Sequence, residues 1–477
     1  MVGGDIMSKQ IMGSKNTIDM CNGAVLPKLI KFIIPVFFMN ILQLFYNAAD
    51  IVVVGQFAGK EAVGAVGATG ALINLIVNLF IGLGVGVNVV AGQYIGAGRQ
   101  KEVPEVIKTA TIVGVLGGIV ILIVGFFFSK DLLKIMLTPT DVLPLATKYL
   151  SIYFVGAPAA LTYNFLAAVL RADGDTKRPL LFLVISGFTN VLLNLFFVAV
   201  LGMDVDGVAW ATVASQYVSA ALVITTLIKE KGYLKLDFEN FKIYPDKLKL
   251  ILRIGIPSGI YGSLFSIANV LIQSAVNSFN SAVIVSGVAA SSNLEGFVWM
   301  GMNAVSVAAT SFASQNMGAK KFGRIRKTLW LSYGIVTVIW AVLSGGMLLT
   351  RELLFSFYLP GEPEAVSYGI SRMVLLLSAY FLGGMMDVTT SLLRGMGYSS
   401  LTTIISLIGS CGLRALWIFF VFYPAKAIYT VNESIRILYL IFPISWAATI
   451  IGLLFCYFIV MHRLKKKNPQ ANMSLSQ

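Results

Sequence analysis

The residues of this chain best suited to chemistry sit on one side of its first apolar run. Asn40, Gln43, Asn47 and Asp50 follow one another at i, i+3, i+7 and i+10. At about 100° per residue on a helix they fall within an arc of roughly 80°, and the rest of the circumference is apolar. The run opens near Leu29 and closes near Val54, long enough to cross a bilayer. An ionisable residue in such a run costs about 2.5–3.5 kcal/mol on insertion scales and by default marks an ion or substrate path. Asp50 is therefore expected to take up a proton or a cation rather than to serve packing alone. Glu295 and Asp387 also lie in later apolar runs, where they suit either cation attraction in a cavity or a bond between helices. Other chemistries find no support. The one histidine, His462, and the scattered Cys21, Cys411 and Cys456 form neither a metal-binding pattern nor a disulfide framework. No glycine-rich phosphate loop leads into Lys-Ser/Thr, which argues against an ATP-driven pump, and no nucleophile–base–acid set argues for an enzyme.

The elements that must position these residues are membrane spans. The 477 residues are 57% hydrophobic and 12% charged, with a mean hydropathy of +0.83. A soluble domain is nearer half apolar and a quarter charged, so an all-α integral membrane protein is expected. Hydropathy divides the chain into twelve spans, near 29–54, 63–95, 106–128, 146–170, 179–201, 207–228, 251–279, 283–313, 328–349, 366–393, 400–423 and 437–460. The resulting organisation is an N-terminal segment 1–28, a six-span lobe 29–228, a linker 229–250, a second six-span lobe 251–460 and a basic tail 461–477. Residues 1–23 are polar and lack a signal-peptide core, so the first span is expected to be retained.

Charge sets the orientation. Most of the 36 lysines and arginines fall in the two termini, the linker and the loops after even-numbered spans. The opposite loops hold Lys60, Lys130, Lys134, Lys148, Arg351, Arg372, Lys426 and Arg436, and Arg414 alone is assigned to a span interior. The positive-inside rule then places both termini in the cytoplasm and the chain in the cytoplasmic (inner) membrane, among lipid. The net charge of +14 is accounted for by topology, and no nucleic-acid partner is expected.

The two lobes repeat. At one constant offset Pro35 meets Pro257, Ala65-Val66-Gly67-Ala68 meets Gly287-Val288-Ala289-Ala290, and Gln93 and Gly96-Ala97 meet Gln315 and Gly318-Ala319. One residue later Leu170-Arg171 and Gly174 meet Leu393-Arg394 and Gly397. Six spans per lobe give both copies the same orientation, an arrangement that supports alternating access in transporters. Pro35 and Pro257 are read as static prolines at helix starts. Gly82, Gly84 and Gly86 are read as a close helix contact.

Several of these stretches resemble the MATE (multidrug and toxic compound extrusion) family. They are Tyr46-Asn47-Ala48-Ala49-Asp50 leading to Val54-Gly55, Gly92-Gln93-Tyr94-Ile95-Gly96-Ala97-Gly98 with its echo Gln315-Asn316-Met317-Gly318-Ala319, and Leu170-Arg171-Ala172-Asp173-Gly174-Asp175-Thr176 with Leu393-Arg394-Gly395-Met396-Gly397. The resemblance runs from about Leu26 to Val460. It implies a V-shaped pair of six-helix lobes that exports organic, often cationic and aromatic, compounds in exchange for a cation. Asp50 matches the first-span aspartate of the branch with an N-lobe site, and around it the resemblance places Gln43, Tyr46, Asn164, Asn190, Asn194 and Thr212. Where that branch often has a second aspartate this chain has Asn194, so the site has one acid, for one proton or one Na+. Glu295 and Asp387 resemble acids of other members and, with Asn47, Asn269 and Gln273, are assigned to a substrate cavity or second cation site.

The expectation is a secondary antiporter of organic cations coupled to H+ or Na+, with no cofactor and no metal beyond a Na+ at Asp50. Twelve spans can enclose a pathway, so one chain is expected to suffice. The alternative is a lipid-linked precursor flippase of the wider superfamily. Its large anionic headgroup would require basic residues in the cavity, and Arg414 alone against three acids favours cationic cargo.

Overall fold

The computed structural model describes residues 17–57, 60–136 and 138–468. Most of the polar leader (1–16) and the end of the basic tail (469–477) lie outside them. Among the described residues the structure is helical throughout, as a bilayer demands: with no water to bond exposed backbone groups, each segment must satisfy them internally. The described helices divide into two units.

The first unit holds Ile34–Gly255 and the described residues before Ala24. It contains most of α1 (Val25–Phe57), then α2 (Lys60–Gly96), α3 (Val103–Ile135), α4 (Leu143–Val155), α5 (Ala157–Asp173), α6 (Lys177–Asn194), α7 (Val205–Lys229) and the start of α8 (Pro245–Asn277). Six of the twelve expected spans fall here, and the fourth is broken. Its halves α4 and α5 bend by 48° at Gly156, with Pro158 just inside α5. A proline there lacks the N–H that would bond back into the preceding turn. Beyond Asn194, α6 runs into a π-helical turn, Leu195–Val200. Small residues let these helices approach closely, which is how helices associate where lipid and side chain are equally apolar. A Cβ on Gly86 would meet the Ile251 carbonyl and Gly255 of α8, so the Gly82–Gly86 run does serve close packing.

The linker is bound to this unit. Lys108 of α3 pairs with Asp237 (2.5 Å), and Tyr244 N–H donates to Thr109 Oγ1 (3.1 Å). The Tyr233 hydroxyl donates to Asp173 (2.6 Å) at the end of α5. Lys247 is buried among Glu102 (2.5 Å), Asp246 (2.8 Å) and the Tyr94 hydroxyl (3.0 Å).

The second unit takes Ala24–Ile33 and the described residues from Ile256 onward. After α8 come α9 (Ala282–Gly318), α10 (Phe322–Ile339), α11 (Gly345–Leu349), α12 (Arg351–Tyr358) and α13 (Pro363–Gly395). A π-helical turn, Trp340–Ser344, joins α10 to α11. The next span, 399–428, alternates between winding types. It comprises α14 (Ser399–Ser406), a π turn (Leu407–Gly412), α15 (Leu413–Trp417), a second π turn (Ile418–Phe422) and α16 (Tyr423–Ile428). The last helix, α17 (Val431–Lys467), opens on a capping box of Thr430 and Glu433 and ends in three lysines that complement its dipole.

The repeat extends to backbone detail. Gly174 and Gly397 both take left-handed φ (+95° and +93°) just past their helices. In each copy the next amide reaches back to the matching leucine carbonyl, Asp175 to Leu170 (2.9 Å) and Tyr398 to Leu393 (3.0 Å). Gly98 and Lys320 are a second matched pair of left-handed residues, at the ends of α2 and α9. Pro35 and Pro257 correct the sequence reading. They lie inside α1 and α8, well past their first turns, and at both the chain passes from one unit to the other.

Candidate functional site

In the first unit, α1, α6 and α7 bring together Asp50, Asn190, Asn194 and Thr212. The Asn194 amide donates to the Asp50 carboxylate and to Asn190 Oδ1 (3.3 Å). The Asn190 amide in turn faces Thr212 Oγ1 (3.4 Å). Asn190 and Thr212 also lie within hydrogen-bonding reach of the carboxylate. Asn194 is fully enclosed and Asn190 nearly so, and the i, i+4 spacing puts both on one face of α6. These partners of the carboxylate are neutral dipoles. The Asn194 Oδ1, beside it, is buried and has no hydrogen-bond donor among the described residues. A carboxylate next to an unsatisfied carbonyl oxygen is a pair of hard acceptors, suited to a carboxyl proton or a small cation such as Na+.

Tyr46 anchors the helix that carries Asp50. Its hydroxyl donates to the Leu183 carbonyl (3.1 Å), and its ring occupies the space that a side chain at Gly187 would need. One turn of α1 separates Tyr46 from Asp50, so this contact sets the depth and rotation of the acid against α6. Other expected members lie elsewhere. Gln43 and Asn47 are exposed on α1, and Asn164 bonds the Ala160 carbonyl of its own helix (2.8 Å). Tyr149 and Tyr153 of α4, which no sequence signal marked, lie within electrostatic reach of Asp50.

The acids of the second unit are differently placed. Glu295 of α9 forms an ion pair with Arg372 of α13 (2.5 Å), and Ser291 Oγ bonds to both (3.0 and 2.8 Å). All three are buried, and the guanidinium lies 4.8 Å from the Tyr439 ring centroid. Arg372, read from sequence as a loop cation, is thus an internal counter-ion, and Glu295 already has its positive partner. Asp387 of α13 accepts from the Tyr261 hydroxyl (3.2 Å), and Arg394 stacks 4.1 Å over that tyrosine ring. Arg414 of α15 is completely buried between Phe265 and Phe442. Among the described residues this unit therefore buries Arg372, Arg394 and Arg414, where sequence assigned Arg414 alone to a span interior. Asn269 and Gln273 are exposed on α8, where Gln273 bonds Asn277 (2.9 Å).

The family model described as MatE matches residues 35–196 and 257–420. "Probable multidrug resistance protein YoeA" of Bacillus subtilis (strain 168) is 28% identical over 399 residues, covering 80% of this chain and 84% of that one. "Probable multidrug resistance protein YpnP" of the same organism is 28% identical over 412 residues, covering 86% and 90%. Among solved structures, "Crystal structure of MATE in complex with MaL6" matches 95% of this chain and 100% of its own at a TM-score of 0.87 and 22% identity, a likeness of fold.

Proposed function

The chain belongs to the MatE family of membrane transporters, and we propose that it exports small organic compounds in exchange for a cation bound at Asp50. The observation that carries this reading is the cluster in the first unit. A membrane carboxylate held by Asn194, with the buried Asn194 Oδ1 left without a donor beside it, is one positive charge short of satisfaction. A proton or Na+ supplies that charge. Coupling then needs the cation and the exported compound to favour different conformations, since a ligand with equal affinity for both shifts nothing. The relatives' names, two of them multidrug resistance proteins, support drug-like cargo, and the charge of Asp50 supports cationic compounds. The protein sits in the cytoplasmic membrane with both termini inside, works as a single chain and is a transporter rather than an enzyme.

The flippase reading gains one observation, the buried arginines of the second unit. Arg372 is neutralised by Glu295, while Arg394 and Arg414 keep unpartnered donors; the relatives' multidrug resistance names and the membrane acid Asp50 nevertheless favour drug-like cargo. The antiporter reading therefore stands first. Its test is efflux of rhodamine 6G from proteoliposomes under a pH gradient and under a Na+ gradient, imposed separately, for wild type and Asp50→Asn. Efflux driven by one gradient and abolished in the variant supports the reading and names the ion. Gradient-driven efflux that survives Asp50→Asn overturns the assignment of Asp50.

A further inference from the structure

Arg414 stands out because nothing in the antiporter cycle uses it and its own unit leaves it incomplete. The residue is 0% exposed. Its Nε reaches Ser445 Oγ at 3.4 Å, while Nη1 and Nη2 have no hydrogen-bond partner among the described residues. Guanidinium stays protonated, so this is a buried positive charge with two idle donor groups, and such a charge is costly unless paired. Aromatic rings offset part of that cost: the guanidinium lies 4.2 Å from the Phe442 centroid and 5.2 Å from that of Phe265. They cannot accept the in-plane hydrogen bonds that the fork presents.

The surrounding charges do not balance. Glu295 and Arg372 cancel as a pair. Asp387 then faces Arg394 and Arg414, so this core carries one more positive than negative charge. The backbone is irregular at the same place. Arg414 sits on the short α15 between two π-helical turns, Leu407–Gly412 and Ile418–Phe422, and such turns frequently mark functional sites where a helix can rewind. The position is also deep. Arg414 is near the middle of the 399–428 span, about 20 Å from either end at 1.5 Å per residue, beyond the reach of a phospholipid phosphate.

We propose that Arg414 anchors a binding site in the second unit for aromatic compounds that carry an acidic group, a carboxylate, sulfonate or phosphate. The acid takes the two free Nη groups as a bidentate partner. The ring enters the sleeve of Phe265 and Phe442, which Trp446 continues 5.7 Å beyond Phe442. Entry requires the span to rewind at its π turns, because the arginine is enclosed as it stands. Asp387 repels the acid and limits its affinity, as suits a compound that must leave again. The inference rests on the transporter reading for its biological sense, but equilibrium binding needs no gradient, so failure of ion coupling and failure of acid binding are read in separate experiments.

The test is isothermal titration of the full chain in lipid nanodiscs, with empty discs subtracted, using 2-naphthoate, 2-naphthol and 2-naphthylmethylammonium. These probes share a ring and differ in charge. Wild type should bind the carboxylate at least tenfold more tightly than the alcohol; the ammonium, of the class expected at Asp50, is a separate control whose binding Arg414→Gln should not weaken. Arg414→Gln should abolish the preference, and Arg414→Lys, which keeps the charge but not the fork, should retain part of it. A carboxylate no tighter than the alcohol in wild type, or a preference that survives Arg414→Gln, overturns the proposal. Should Arg414→Gln fail to fold, Asp387→Asn decides. Severalfold tighter binding of 2-naphthoate supports the site, and unchanged or weaker binding refutes it.

Discussion

The Glu295–Arg372 pair predicts a particular pattern of stability and transport. Both residues are below 10% exposed, the charged atoms approach to 2.5 Å, and Ser291 closes a triangle with bonds of 2.8 and 3.0 Å. Two unit charges about 4 Å apart at an effective dielectric of about 20 attract by about 4 kcal/mol, and removing one partner of a buried pair costs about 3–5 kcal/mol. Replacing both with neutral groups of similar volume is often neutral, because neither desolvated charge remains. Arg372→Gln or Glu295→Gln alone should therefore cost about 3–5 kcal/mol. At roughly 2–4 °C per kcal/mol for about 200 residues, the melting temperature should fall by about 6–20 °C. The double variant should recover most of that loss. The assay is thermal unfolding of purified protein followed by intrinsic fluorescence, paired with rhodamine 6G efflux from proteoliposomes. If the two single losses are small and simply add, the pair is not an energetic unit. If the double variant recovers stability but not transport, Glu295 has a role in transport and its assignment as a structural counter-ion is refuted.

Two further predictions concern the positioning of the site and the repeat. Gly187→Ala places a methyl group where the Tyr46 ring lies, so it should displace α1 from α6, cost about 1–3 kcal/mol as an overpacked contact and lower efflux. Adding Tyr46→Leu should recover part of the stability, and a fully stable, fully active Gly187→Ala would show that this contact does not set the position of Asp50. Lys320 holds φ at +55° where the first repeat has Gly98, so Lys320→Gly should relieve a left-handed strain of about 1–2 kcal/mol against about 0.5–1 kcal/mol of glycine entropy. The net gain should raise the melting temperature by about 1–4 °C, and a lower value would count against the strain.

The parts of this structure legible in the sequence are those that a period or a hydropathy window registers. The apolar pattern marks Asp50 alone; Asn190, Asn194 and Thr212 are placed beside it by the family resemblance, and the four converge as one acid with neutral partners. The break at Gly156 was hidden because hydropathy averages over a bend as readily as over a straight helix. Gln43 and Asn47 show the limit of the helical-wheel argument: the stripe on α1 is polar along its length, and Asp50 bonds to α6, while Gln43 and Asn47 are exposed. Arg372 shows the limit of charge counting. Near the start of a span an arginine looks like a loop cation, and its partner Glu295 is far away in sequence, on another helix.

The repeat explains why the two units can differ in chemistry while sharing a backbone. Helix ends are fixed by geometry, so the turns at Gly174 and Gly397 keep the same left-handed residue and the same backbone bonds. Helix interiors are fixed by what must be neutralised, and there the copies diverge. Asn164 in the first copy is Asp387 in the second, and the added acid comes with buried Arg394 and Arg414 in its own surroundings. Arg394 has its repeat mate in Arg171, whereas Arg414 is set opposite Val191 of the first copy. A positive charge that exceeds what Asp387 needs, buried where desolvation is most expensive, is unstable against loss unless it does something in that unit. On the readings proposed above, the first unit uses its acid to take a cation and the second its arginine to take an anion, complementary uses of one duplicated scaffold.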